Sequence, residues 1–253
     1  MKKVVIISDL HCGSIYGLTP PKYFTDHHLN IQSESWLAYN KIARNWKKPD
    51  ILICNGDMIE GTQSKQGGAE LITPDRNVQC DMAIECINEF KAKQIFMTFG
   101  TAYHNGENCE DFEYQIAKRV GATIEGRLFL EIEGITFDVR HKVGNSTIPH
   151  GRATSLLKEL AWDLIKEASG SGPKVDVIIR SHVHHNIWVE IPNKIAFITP
   201  ALQAQGGRFG SRQCSGDIHW GAIRLTIKNG KIIGKDVDIC TIQGSKPKVI
   251  KVE

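Results

Sequence analysis

Three short apolar runs, Val4-Val5-Ile6-Ile7, Ile51-Leu52-Ile53-Cys54 and Ile95-Phe96-Met97, each end within a few residues at a polar side chain or a glycine. Continuous apolar stretches of this length suit strands buried on both faces, the kind found between layers of helices. The expected strands are 3–8, 51–54 and 94–99, with a fourth buried strand at 175–179. Between them lie stretches with helical spacing at 33–46, 77–91, 110–120 and 154–168. In the first, Trp36, Leu37, Tyr39, Ile42, Ala43 and Trp46 are the apolar residues, Ser33 is the expected N-cap, and Lys48-Pro49-Asp50 ends the helix. A hairpin is expected over 127–140 with its turn at Glu133-Gly134. Strands alone follow, at 187–191, 195–198, 220–227 and 231–239, with turns at Asn193-Lys194 and Asn229-Gly230. Helix-linked strands followed by hairpins predict an α/β domain with two mixed sheets between helices. The Ser/Gly stretch at 169–172 is too short for a domain linker, so one domain over 1–253 is expected.

Composition narrows the class. A net charge of +3 neither requires nor excludes a nucleic-acid partner. The N-terminal apolar run gives way at once to Ser8-Asp9, whereas a secretory core needs about 7–15 apolar residues. The seven cysteines are scattered and form no CxxC pair. Reduced thiols, a cytoplasmic location and no membrane partner are therefore expected. Cys54 reads as core, and Cys12 as a bystander beside more chemically pointed residues.

Those residues occur in five short pieces: Asp9-Leu10-His11, Gly56-Asp57, the Gly100–His104 segment, His141, and His182-Val183-His184. Each follows an expected strand, and sites in α/β sheets lie beyond the carboxyl ends of strands. In extended backbone, residues i and i+2 point to one side, so Asp9 and His11 can approach one cation, as can His182 and His184. Gly56 permits a sharp turn that exposes Asp57, whose carboxylate has two oxygens and can bridge two ions. Imidazole and carboxylate together suit manganese, iron or zinc better than calcium or magnesium. Each piece alone is weak, but several such groups buried together without a metal would leave polar atoms unsatisfied at about 1–3 kcal/mol each.

The order Asp-x-His, Gly-Asp, Gly-…-His, lone His, His-x-His resembles the calcineurin-like metallophosphoesterases over residues 4–185, and over nearly the whole chain if the closing hairpins are included. The resemblance implies a four-layer α/β/β/α sandwich of two mixed sheets flanked by helices. It implies one ion held by Asp9, His11, Asp57 and His184, and a second held by Asp57, His141, His182 and an Asn of the third motif. Two divalent ions are expected, manganese ahead of iron or zinc. The third motif departs from the usual Gly-Asn-His-Asp/Glu: here it reads Gly100-Thr101-Ala102-Tyr103-His104-Asn105. Thr101 could take the vacant ligand place, Asn105 could fold back into it, or His104 could become the ligand. The preferred reading keeps His104 as the catalytic group that donates a proton to the leaving oxygen.

The expected reaction is phosphoester hydrolysis by attack of a metal-bridging hydroxide. Phosphodiesters are the favoured substrates, with nucleic acid a candidate, because loops at 12–32, 60–76 and 200–220 could build a groove. In the last of these, Arg208 and Arg212 stand among glycines and are candidate phosphate-binding residues. A phosphomonoesterase acting on nucleotides or phosphoproteins is the runner-up, and a metal-bound binding subunit with weak catalysis is the alternative from another class.

Overall fold

The computed structural model describes residues 1–106, 111–146, 148–206, 217–245, 249 and 251–252. The expected arginines Arg208 and Arg212 lie outside the described residues. One sheet has six strands in the order β11-β10-β1-β2-β3-β4. These are β1 (Lys2–Ile7), β2 (Ile51–Asn55), β3 (Gln94–Thr98), β4 (Thr123–Glu125), β10 (Trp220–Lys228) and β11 (Lys231–Cys240). Strands β1 to β4 run parallel, and the β10–β11 hairpin closes one edge antiparallel. The second sheet has the order β5-β6-β7-β9-β8. It comprises β5 (Leu128–Ile132), β6 (Ile135–Val139), β7 (Val177–Arg180), β8 (Ile187–Ile191) and β9 (Lys194–Ile198). Its centre, β6-β7-β9, is parallel and its edges antiparallel.

Alternation along the strands explains the layering. Val4, Ile6, Ile51 and Ile53 pack with Phe137, Val139, Val177 and Ile179, filling the space between the sheets. Val5, Ile7, Leu52 and Cys54 point the other way. They meet Tyr39 and Ile42 of α1 (Leu29–Asn45), Cys86 and Ile87 of α2 (Arg76–Asn88), and Ile116 of α4 (Phe112–Val120). Ile178, Ala196 and Ile198 face Leu156 and Leu160 of α5 (Thr154–Ser169). The order is thus helices, sheet, sheet, helix: the two-sheet α/β/β/α architecture that the resemblance implies. Cys12 and Cys54 are buried in the core, and Cys12 donates to the carbonyl of Leu18 at 3.2 Å.

Differences from the sequence reading are local. Helix α1 begins at Leu29 because a 3-10 turn over Asp26–His28 runs straight into it. Ser33 is therefore inside the helix, where its hydroxyl donates back to Asn30 O, and it does not serve as the N-cap. The three-residue strand β4 and the single helical turn α3 (Ala102–Asn105) are elements the periodicity does not reveal. No described helix is long and apolar enough to cross a membrane.

Candidate metal centre

The carboxyl ends of β1, β2, β3, β6 and β7 bring the six expected ligands and His104 to one place. The loop after β1 is zipped to the loop after β2 by backbone bonds from Asp9, His11 and Cys12 to the carbonyls of Gly56, Asp57 and Met58, at 3.0, 3.1 and 3.1 Å. Glycine is required where loops converge. A Cβ on Gly56, which has φ +78°, would lie 2.5 Å from His141 Nδ1, and one on Gly100 would lie 2.1 Å from Asp57 Oδ1. The candidate ligands themselves are bent unusually. Asp9, His11, Asp57, His182 and His184 have φ of 52°, 47°, 53°, 78° and 55°. Such left-handed conformations are uncommon away from glycine and gather at functional sites.

Two foci emerge. Ligating atoms of Asp9, His11 and His184 lie within 4.8 Å of one another, and so do those of Asp57, His141 and His182. His104 forms a third such group with His11 and Asp57. His184 Nε2 is 3.2 Å from Asp9 Oδ1, and His141 Nε2 is 2.9 Å from Asp57 Oδ2. The rings are oriented from behind. His141 Nδ1 donates to Asn55 O at 2.7 Å and His11 Nδ1 to Glu60 Oε2 at 2.8 Å, which turns each Nε2 toward the centre. His104 Nδ1 donates to Glu60 O at 2.7 Å, so its Nε2 is likewise directed away from that anchor.

The donor set fits divalent cations. Asp9 Oδ1 and His141 Nε2 are buried and have no aligned hydrogen-bond partner. A fully buried carboxylate oxygen and imidazole nitrogen in that state are what a cation would satisfy. The charges are set for it as well. Burial acts to raise Asp9, but the His184 imidazole beside it prevails and the carboxyl falls to about 2. Asp57 is buried too, and the adjacent His141 holds it well below the ordinary carboxylate range. His141 is pulled down by burial and up by Asp57, and the latter wins, taking it to about 10. His11 is lowered by burial and by the neighbouring His104. In the metal-free protein, protons on His141 thus stand where positive charge is wanted.

The third motif takes a form of its own. Thr101 donates its N–H (2.7 Å) and its hydroxyl (3.1 Å) to Asp57 Oδ1, leaving Oδ2 as the oxygen toward His141 and His182. Asn105 is buried and donates through Nδ2 to Glu113 at 2.6 Å, while its Oδ1 has no hydrogen-bond partner. The centre opens to solvent at His182, whose side chain is 32% exposed.

Two carboxylates escape the motif reading. Glu60, buried, orients His11 and accepts from Gln63 Nε2 at 2.8 Å. Its signal was an acid directly after the apolar pair Met58-Ile59, three residues beyond Asp57. Glu113, wholly buried on α4, is pushed up to about 7 by burial and by the Asp57 charge. Its signal was a charge on the apolar face formed by Phe112, Ile116 and Ala117.

No protein-family model matches the sequence, and a search of curated proteins finds no match. Among solved structures, the chain is similar to Vps29 from Chaetomium thermophilum, at 9% identity over 94% of this chain and 96% of that one, with a TM-score of 0.49. It is similar to Vps29 of Entamoeba histolytica complexed with zinc, at 12% identity over 95% and 99%, with a TM-score of 0.47. It is also similar to a novel archaeal phosphodiesterase, at 15% identity over 93% and 99%, with a TM-score of 0.44.

Proposed function

We propose that this chain is a metal-dependent phosphoesterase with two divalent ions, manganese first among the candidates, acting on phosphodiesters, nucleic acid among them. The observation that carries this reading is the convergence of buried carboxylates and imidazoles into two adjoining groups, in which Asp9 Oδ1 and His141 Nε2 face neighbouring ligands without aligned hydrogen bonds. Asp9, His11 and His184 would hold one ion, and His141 and His182 the other. Asp57, whose Oδ1 accepts from Thr101, would be shared between them. Bound ions would supply Lewis acidity toward phosphoryl oxygens and acidify water near neutral pH.

The protein's own groups do the rest. Glu60 holds His11 in one tautomer and, through its carbonyl, anchors the His104 ring. The Nε2 of His104 is then free to give a proton to a leaving oxygen beside the centre. The opening at His182 admits a substrate.

The test is hydrolysis of bis(4-nitrophenyl) phosphate by chelator-treated protein with and without added Mn²⁺, beside the Asp57→Asn variant, followed by DNA, RNA, nucleotide and phosphopeptide substrates. Mn²⁺-dependent turnover that Asp57→Asn abolishes is expected. Stoichiometric metal uptake without turnover of any substrate would sink the enzymatic reading and favour a metal-bound binding subunit.

A further inference from the structure

We propose that Glu113 is a positioning residue for the metal centre, tying the Asp57 loop to the Thr101–Asn105 segment so that both present their side chains to the ions. This rests on the metal-centre reading above. Glu113 Oε1 accepts the N–H of Met58 at 2.9 Å. Its Oε2 accepts the N–H of Gly100 and the Nδ2 of Asn105, each at 2.6 Å. Met58 follows Asp57, and Gly100 precedes Thr101, whose N–H and hydroxyl fix Asp57 Oδ1. One carboxylate thus grips the chain on both sides of the Asp57 contact.

The chemistry of the grip is specific. All three groups facing Glu113 are N–H donors, and both oxygens of the carboxylate stand as acceptors toward them. A Gln of the same shape would turn an NH₂ toward one of the two sets of donors and repel it. Glu113 also fixes the Asn105 amide. With Nδ2 bound to the carboxylate, Oδ1 must face away from it, and Oδ1 is buried and without a hydrogen-bond partner. The third motif lacks its usual Asn, yet it keeps a buried amide carbonyl whose orientation is imposed from α4. Among the described residues the hydrogen bonds of the Glu113 side chain go to Met58, Gly100 and Asn105, groups that place the candidate ligands, and to none of the six themselves.

The test is Mn²⁺ affinity, measured by competition with a chromophoric chelator on the full chain, together with thermal melting in excess chelator. Glu113→Gln is expected to melt cooperatively without metal and to bind Mn²⁺ at least tenfold more weakly, the scale found when groups behind metal ligands are lost. A residue that merely supports the fold would lower the melting temperature and leave affinity intact, so a folded variant with wild-type affinity overturns the inference. If Glu113→Gln does not fold, Glu113→Asp decides. It keeps the charge but is too short to span Met58 and Gly100 together, and wild-type affinity in that variant overturns the inference equally. A wild-type protein that binds no Mn²⁺ overturns the metal-centre reading itself and this inference with it, whereas binding by wild type and variant alike overturns this inference alone.

Discussion

Asn55 donates through Nδ2 to Ser181 Oγ at 2.6 Å, joining the end of β2 in one sheet to the end of β7 in the other. The contact sits in a buried chain. Thr98 donates to Asn55 Oδ1, and Ser181 meets Thr199, which meets Ser8. Ser8 precedes Asp9, Asn55 precedes Gly56-Asp57, and Ser181 precedes His182. The hydroxyls and the amide therefore set how far apart the two sheets carry their candidate ligands.

Breaking this chain should cost stability beyond one hydrogen bond. Asn55→Ala strands the hydroxyl of Thr98 and takes one of two partners from Ser181 Oγ, and it is expected to destabilise the metal-free protein by about 1–3 kcal/mol in urea unfolding. The double variant with Ser181→Ala should show a coupling above about 0.5 kcal/mol. Strict additivity would mean that the two side chains do not act together.

His141 gives the metal-free protein a pH dependence of defined sign. Its pKa rises from 6.5 to about 10 on folding. A raised pKa means that the stabilisation is fully present below the unfolded value of about 6.5 and disappears as pH climbs through about 10. His11, shifted downward, acts in the opposite sense, so the measurement must isolate His141. In excess chelator, the stability gap between wild type and His141→Asn should be wider at pH 6 than at pH 9. A gap that stays constant or widens with pH would refute the assignment. Metal uptake should release protons, since an ion at His141 must displace one.

Glu60→Gln tests the support behind His11. The variant keeps the size of the side chain but weakens the bond to His11 Nδ1 and is expected to bind Mn²⁺ about 10–100-fold more weakly. Titration calorimetry showing an unchanged affinity would remove Glu60 from the ligand support.

His104 is tested through its leaving group. An alkoxide needs a proton as it departs and a nitrophenolate does not. His104→Ala should therefore lose far more rate on a dinucleotide than on a nitrophenyl ester, with full metal content retained. Equal losses on both, together with a missing ion, would identify His104 as a ligand, as its grouping with His11 and Asp57 permits.

The strands and the six candidate ligands were legible because each signal is local: an apolar run, then a chemically pointed residue at its end. Elements decided by tertiary pairing were not. Strand β4 exists because Phe96, Met97 and Thr98 offer it an edge, and its own Thr-Ile-Glu carries no pattern. The fate of Asn105 was hidden for a related reason. Its amide is claimed by Glu113 from another helix, and nothing within the third motif announces that partner. Ser33 misled because a good N-cap residue counts only if the chain has not already turned helical before it.

The left-handed backbone at Asp9, His11, Asp57, His182 and His184 sets this chain's durability against its chemistry. An L-residue in that region costs about 1–2 kcal/mol that glycine does not. Variants selected only for surviving heat in the absence of metal could shed that cost by glycine at the part-exposed His182, whereas Asp57 is held in place by its bonds to Thr101 and its pairing with His141. Selection in the presence of bound ions would forbid the same replacement.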